Sequence, residues 1–264
     1  MPPDAVVAKL DHVFVPVADP TSHFALFSGD LGLPVAWPVT NKGAFTSAAV
    51  CVGNANLEWI TANGPSDFSP FLEPTEPLCV RGLAFEPRDG ERMADELDAR
   101  GLEHSDAVPH DDEGGAWTNV FLAGMAPRPA MIFLCEYRGK TREERRAVRE
   151  EFAKGDGGPL GVRRLAEVTL GVLDVPTAMD AWGRLLAPAE PDRHGAFRLG
   201  DGPAIRIKNS PIEGVAGLWL EVGSLARARD ALSGMDMLGP MRASGIGLDY
   251  AKTGGLDVWL TEPR

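Results

Sequence analysis

The stretch Leu10-Asp11-His12-Val13-Phe14-Val15-Pro16-Val17 decides how this chain is read. It is rich in β-branched and aromatic residues and reads as a strand. Asp19-Pro20-Thr21 follows with helix N-cap chemistry, a short side-chain acceptor placed before a proline. Residues 22–31 read as a short amphipathic helix with Phe24, Phe27 and Leu31 near one face, stopped by Gly32. Three more strands are predicted over 35–39, 44–52 and 56–61, divided by Asn41-Lys42-Gly43 and Gly53-Asn54 turns. The order is β, α, β, β, β.

Outward from this module the same order returns. A second pass has a strand over 80–85, a helix over 89–100 ended by Gly101, weak strand character near Ala107-Val108, and strands over 117–122 and 131–137. A third opens on Leu165-Ala166-Glu167-Val168-Thr169-Leu170, which parallels the opening of the first, and continues with a helix over 178–186 and strands over 194–199 and 204–208. A fourth opens on Gly217-Leu218-Trp219-Leu220-Glu221, which parallels Gly82-Leu83-Ala84-Phe85-Glu86 of the second. Its helix covers 225–232 and its strands lie near 237–241, 247–251 and 256–261. A unit that recurs at this spacing is one supersecondary element copied. The charged helix over 141–154 and the break Gly155-Asp156-Gly157-Gly158-Pro159 part the halves. The expected architecture is α+β: four βαβββ modules with curved mixed sheets, in an N-terminal domain 1–139, a helical linker 140–159 and a C-terminal domain 160–264.

Composition narrows the partners. The chain has 264 residues, 44% apolar and 24% charged, which suits a soluble protein with sizeable cores. A net charge of −12 argues against nucleic acid, whose phosphates need a basic face. The one basic cluster, Arg142, Arg145, Arg146 and Arg149, is interleaved with glutamates and reads as a solvated helix. No apolar run is long enough to span a membrane, and Met1 to Lys9 has no signal-peptide pattern. Cys51, Cys79 and Cys135 form no C-x-x-C pair, so a reducing cytoplasm is the expected setting. A monomer or homodimer acting on a small molecule follows.

Three motifs of the first module, Leu10-Asp11-His12-Val13, Asp30-Leu31-Gly32-Leu33 and Asn56-Leu57-Glu58-Trp59, together resemble the vicinal oxygen chelate superfamily of glyoxalases, extradiol dioxygenases and bleomycin-resistance proteins. The resemblance is sharp in that module and extends over the chain as module order. It implies paired modules curled into half-open cups, with metal ligands drawn from first and last strands. Carried over by position, it implies a metal set of His12, Glu58 and Glu136, the last in Leu134-Cys135-Glu136-Tyr137. Gly82 stands where many relatives place a ligand, a departure from the pattern. One imidazole and two carboxylates would leave open positions on a divalent ion such as iron, manganese, nickel, cobalt or zinc. Trp59, Trp117 and Phe133 are the expected substrate-binding residues. His23, His104 and His110 read as surface residues, the last two flanking an acidic loop with Asp111, Asp112 and Glu113.

In the second half Glu167 stands at the His12 position and Arg206 near the Glu58 position, a pair suited to an ion pair rather than a metal. Module one could pair with module two or with module four. The trio favours a divalent-metal-dependent enzyme of lyase, isomerase or dioxygenase type acting on an oxygen-rich small molecule. The alternative is a metal-free protein that sequesters an aromatic natural product, as bleomycin-resistance proteins do. The missing ligand at Gly82 favours the alternative.

Overall fold

The computed structural model describes residues 5–65, 69–112 and 115–263; Glu113 of the acidic loop and Met1 to Asp4 lie outside them. Two mixed sheets carry the fold, and the four-module reading holds. In the first sheet, β1 (Val7–Pro16), β2 (Val35–Asn41), β3 (Phe45–Cys51) and β4 (Asn56–Ala62) form one half. The other half is β5 (Gly82–Pro87), β6 (Val108–Asp112), β7 (Gly115–Leu122) and β8 (Met131–Tyr137). Their order is β2-β3-β4-β1-β5-β8-β7-β6. Antiparallel pairing of β1 with β5 joins the halves, so module one pairs with module two. The second sheet has β9 (Val162–Val172), β10 (Ala196–Arg198), β11 (Ala204–Asn209), β12 (Gly214–Val222), β13 (Leu238–Arg242), β14 (Gly245–Leu248) and β15 (Val258–Thr261). Its order, β10-β11-β9-β12-β15-β14-β13, repeats the first with one strand fewer.

Helices follow the first strand of each module where the caps place them. Asp19 accepts from the Thr21 amide to start α1 (Pro20–Ala25), which runs on as a π-helical turn over Leu26–Asp30. α2 (Ser69–Leu72) is a single turn that no periodicity announces, and α3 (Met93–Ala99) belongs to module two. α4 (Gly139–Lys154) lies between the sheets in the chain and packs on β7, β2 and β3 of the first. Asp174 caps α5 (Val175–Leu186) and Ser224 caps α6 (Leu225–Gly234) through the same side-chain-to-amide bond. No helix among the described residues is long and apolar enough to cross a membrane.

Side chains alternate between the two faces of each strand. One face of both sheets shares a continuous core with the helices, in which Phe27, Trp59, Phe85, Trp182 and Phe197 are fully buried. The β3–β4 tip seals the junction: Asn54 donates to the Leu165 carbonyl and accepts from its amide, and a Cβ on Gly53 would fall 2.3 Å from the Arg163 carbonyl oxygen. The opposite face of the first sheet carries a separate, smaller apolar cluster around Phe14, Ile60, Trp117 and Phe133. That face is the concave wall of a cup.

Candidate functional site in the N-terminal cup

A β-bulge builds the floor of the cup. Along β1, Leu10 pairs with Phe85 and His12 with Ala84, which leaves Asp11 as the extra residue of a shifted register. A bulge re-aims side chains, and here Asp11 turns back onto its neighbour, with its carboxylate 2.8 Å from His12 Nδ1. Asp11 is fully buried. Its carboxylate also accepts from the Tyr137 hydroxyl at 3.2 Å and pairs with Arg145 at 3.2 Å and with Arg149. Burial alone would raise the Asp11 carboxyl. The Arg145 charge, the His12 contact and Arg149 outweigh it and hold the group well below the usual carboxylate range. Arg145 lies over the rings of Trp37 and Tyr137, 4.4 and 3.8 Å from their centroids. The basic cluster of α4 is therefore only half solvated: Arg145 and Arg149 reach inward, with side chains 13% and 19% exposed, because a buried carboxylate demands compensation.

β4 runs parallel to β1 with Asn56 opposite His12, so Glu58 reaches the same floor. Glu58 Oε2 lies 3.4 Å from His12 Nε2, and both side chains are 7% exposed. Nδ1–H donates to the Asp11 carboxylate, which leaves Nε2 facing the carboxylate of Glu58. Two basic atoms at that separation repel unless a proton or a cation lies between them.

The cavity above this pair has a volume of about 360 Å³. Trp37, Phe45, Trp117, Phe121 and Phe133 form much of its wall. Phe133 meets His12 edge-on at 5.8 Å and Phe121 at 5.4 Å, and His110 stacks on Trp117 at 5.0 Å. A mainly apolar concavity with a few convergent polar groups is the general form of a small-molecule site.

The structure brings His12, Glu58, Trp117 and Phe133 to this cavity. It does not bring Glu136 or Trp59, and strand alternation gives the reason. β8 turns Met131, Phe133, Cys135 and Tyr137 into the cup. Glu136, one residue out of phase, faces an outer cleft, pairs with Arg142 at 2.7 Å and lies against Gly90. Trp59 is out of phase with Glu58; it has no exposed surface and packs on Phe27 with ring centroids 4.8 Å apart. The three-ligand set of the sequence reading is thus two residues here. Opposite them β5 offers Gly82, whose space the Phe14 ring fills (a Cβ would fall 1.7 Å from it), and Ala84. Asp11, Trp37, Tyr137 and Arg145 went unassigned in the sequence, although Asp11 beside His12 in an apolar strand was a signal, since a buried carboxylate needs partners.

These donors do not fit a divalent ion held by the protein alone. Among the described residues no three of His, Cys, Asp and Glu are placed to share one. The nearby Cys135 thiol is pushed up to about 12 by burial and stays protonated, unlike a ligating thiolate. The Arg145 guanidinium also lines the cavity and opposes a second cation.

A family profile described as a glyoxalase-like domain matches residues 10–186. No curated protein sequence matches the chain. Among solved structures, a hypothetical protein from Staphylococcus aureus superposes with a TM-score of 0.64 at 9% identity, over 97% of this chain and 99% of its own. The Mn(II)-bound glyoxalase from Novosphingobium aromaticivorans gives 0.61 at 12% identity, over 98% and 83%. A mutant homoprotocatechuate 2,3-dioxygenase from Brevibacterium fuscum gives 0.63 at 13%, over 100% and 73%. At such identities the likeness is one of fold.

Proposed function

The chain belongs to the glyoxalase-like domain family, within the vicinal oxygen chelate superfamily, and from that premise we propose that its N-terminal cup binds a flat, mainly aromatic small molecule, metal-free, against an acid–base pair of His12 and Glu58. The observation that carries this reading is the make-up of the cavity: aromatic walls above a floor where His12 and Glu58 converge, with no third metal donor placed beside them among the described residues. The ligand ring stacks between the walls. Its polar edge meets His12 Nε2 and the Glu58 carboxylate, which accepts from a ring hydroxyl. Asp11 keeps the imidazole oriented through Nδ1, and Arg145 and Tyr137 keep Asp11 in place.

A second reading, a divalent-metal enzyme of lyase, isomerase or dioxygenase type, draws on the convergence of the same two basic atoms at 3.4 Å. His12 and Glu58 would then be the protein ligands, and an ion would supply Lewis-acid chemistry to an oxygen-rich substrate. Calorimetric titration with 2-naphthol, with and without excess EDTA, separates the two. The ligand reading expects one site per chain, indifferent to EDTA and weakened about tenfold by Glu58→Gln, the loss of one strong hydrogen bond. Absent binding, or stoichiometric Mn(II) retained through dialysis and lost in His12→Ala, would replace it with the metal reading.

A further inference from the structure

One polar side chain in the aromatic wall has no use in the reading above. Asn119 sits on β7 between Trp117 and Phe121, on the face that lines the cavity, and is 9% exposed. Among the described residues its Oδ1 has no hydrogen-bond partner. The main chain around it is consumed by ladders, with Val108 of β6 on one side and Cys135 of β8 on the other. Two other polar groups of the cavity are satisfied locally: Ser47 Oγ accepts from Trp37 Nε1 at 3.1 Å, and Thr141 Oγ1 from the Ala116 amide at 3.0 Å. A buried amide oxygen without a donor is destabilising, and leucine would fill an aromatic wall without that cost. The position makes physical sense when a bound molecule brings the donor.

We propose that Asn119 is a specificity-determining residue, and that the ligand of this cup is a planar aromatic molecule carrying a hydrogen-bond donor, a ring hydroxyl or amino group, on the edge away from His12 and Glu58. The spacing of strands supports the two-ended arrangement. From β1 the path to β7 crosses β5 and β8, three strand intervals or about 14 Å along the sheet, which the curvature folds across the cup. One end of the ligand then meets the acid–base floor and the other meets the amide. Discrimination of this kind is strong where a site presents a buried acceptor, because an analogue without the donor leaves it unpaired.

The assignment rests on the ligand-binding reading of the cup, and three probes test them separately by calorimetry on the full chain. They are 2-naphthol, naphthalene-2,6-diol, and 6-methoxy-2-naphthol, which keeps the second oxygen but not its donor. The expected result is that the diol binds about fivefold to tenfold tighter than both others, the worth of one added hydrogen bond. Asn119→Leu should bring the three to parity while 2-naphthol still binds. If all three bind the wild-type protein equally, or the methoxy compound binds best, the role of Asn119 is overturned and the cup reading stands. If none binds, both fall. The wild-type comparison decides the point even if the variant folds poorly.

Discussion

The two sheets hold the same frame and differ in what lines their cups. In the first, His12 pairs with Asn56 across parallel strands, and Glu58 follows two residues on. In the second, Glu167 pairs with Ala204, and Arg206 follows two residues on. The bulge is copied too: the register of β9 against β12 shifts between Glu167 and Leu165, which puts Ala166 where Asp11 stands. Arg206 grips Glu167 through two bonds of 2.8 Å, the ion pair that the sequence suggested. Where Ala84 leaves room beside His12, Trp219 stands beside Glu167 and stacks on Trp259 at 5.3 Å, with Arg242 over the second ring. The second half has closed on itself with a salt bridge and two indoles. Four positions (Asp11, His12, Glu58 and Ala84) give the first cup a floor unlike that of the second on the same frame.

The contrast can be broken most severely at the bulge. Asp11→Ala should cost about 3–5 kcal/mol in urea unfolding, because it strands two buried guanidinium groups and an imidazole. Next, Ala84→Trp should make the first cup imitate the second. It should abolish 2-naphthol binding in calorimetry and cost about 1–3 kcal/mol for overpacking. A smaller effect is expected from acid. The Asp11 carboxyl lies well below its ordinary range when folded but takes up a proton near about 4 when unfolded. Its stabilisation is therefore complete above that pH and is lost as pH falls further, toward the depressed value. Urea midpoints taken from pH 5 down to pH 2 should fall more steeply for wild type than for Asp11→Asn. The least effect belongs to the second cup: Glu167→Gln should cost no more than about 1 kcal/mol, since glutamine keeps an oxygen for Arg206 to bond and Glu167, unlike Asp11, retains exposed surface.

Much of this was legible in the residues. Periodicity and turn chemistry placed the modules, and the paired openings at Leu10 and Leu165 fall on β1 and β9, the matching strands of the two sheets. His12 and Glu58 were legible because a histidine and a glutamate stood in phase on strands with clear register. Glu136 and Trp59 misled because adjacent residues of a strand look alike in composition yet point to opposite faces, and a shift of one moves a side chain from cup to core. The π-helical continuation of α1 and the bulge at Asp11 have no composition signature. Arg145 and Arg149 looked like a solvated face because their partner lies more than 130 residues away, and nothing local marks such a contact. The pairing of modules one and two is likewise a long-range fact, fixed by β1 meeting β5.

The most direct test of the account is a crystal structure of the full chain grown with 2-naphthol. The expected result is a ring lodged in the first cup against Trp117 and Phe133, with its hydroxyl on His12 and Glu58 and with Trp219 and Trp259 still stacked on each other. A ring in the second cup, or an ordered metal between His12 and Glu58 with the naphthol absent, would contradict it.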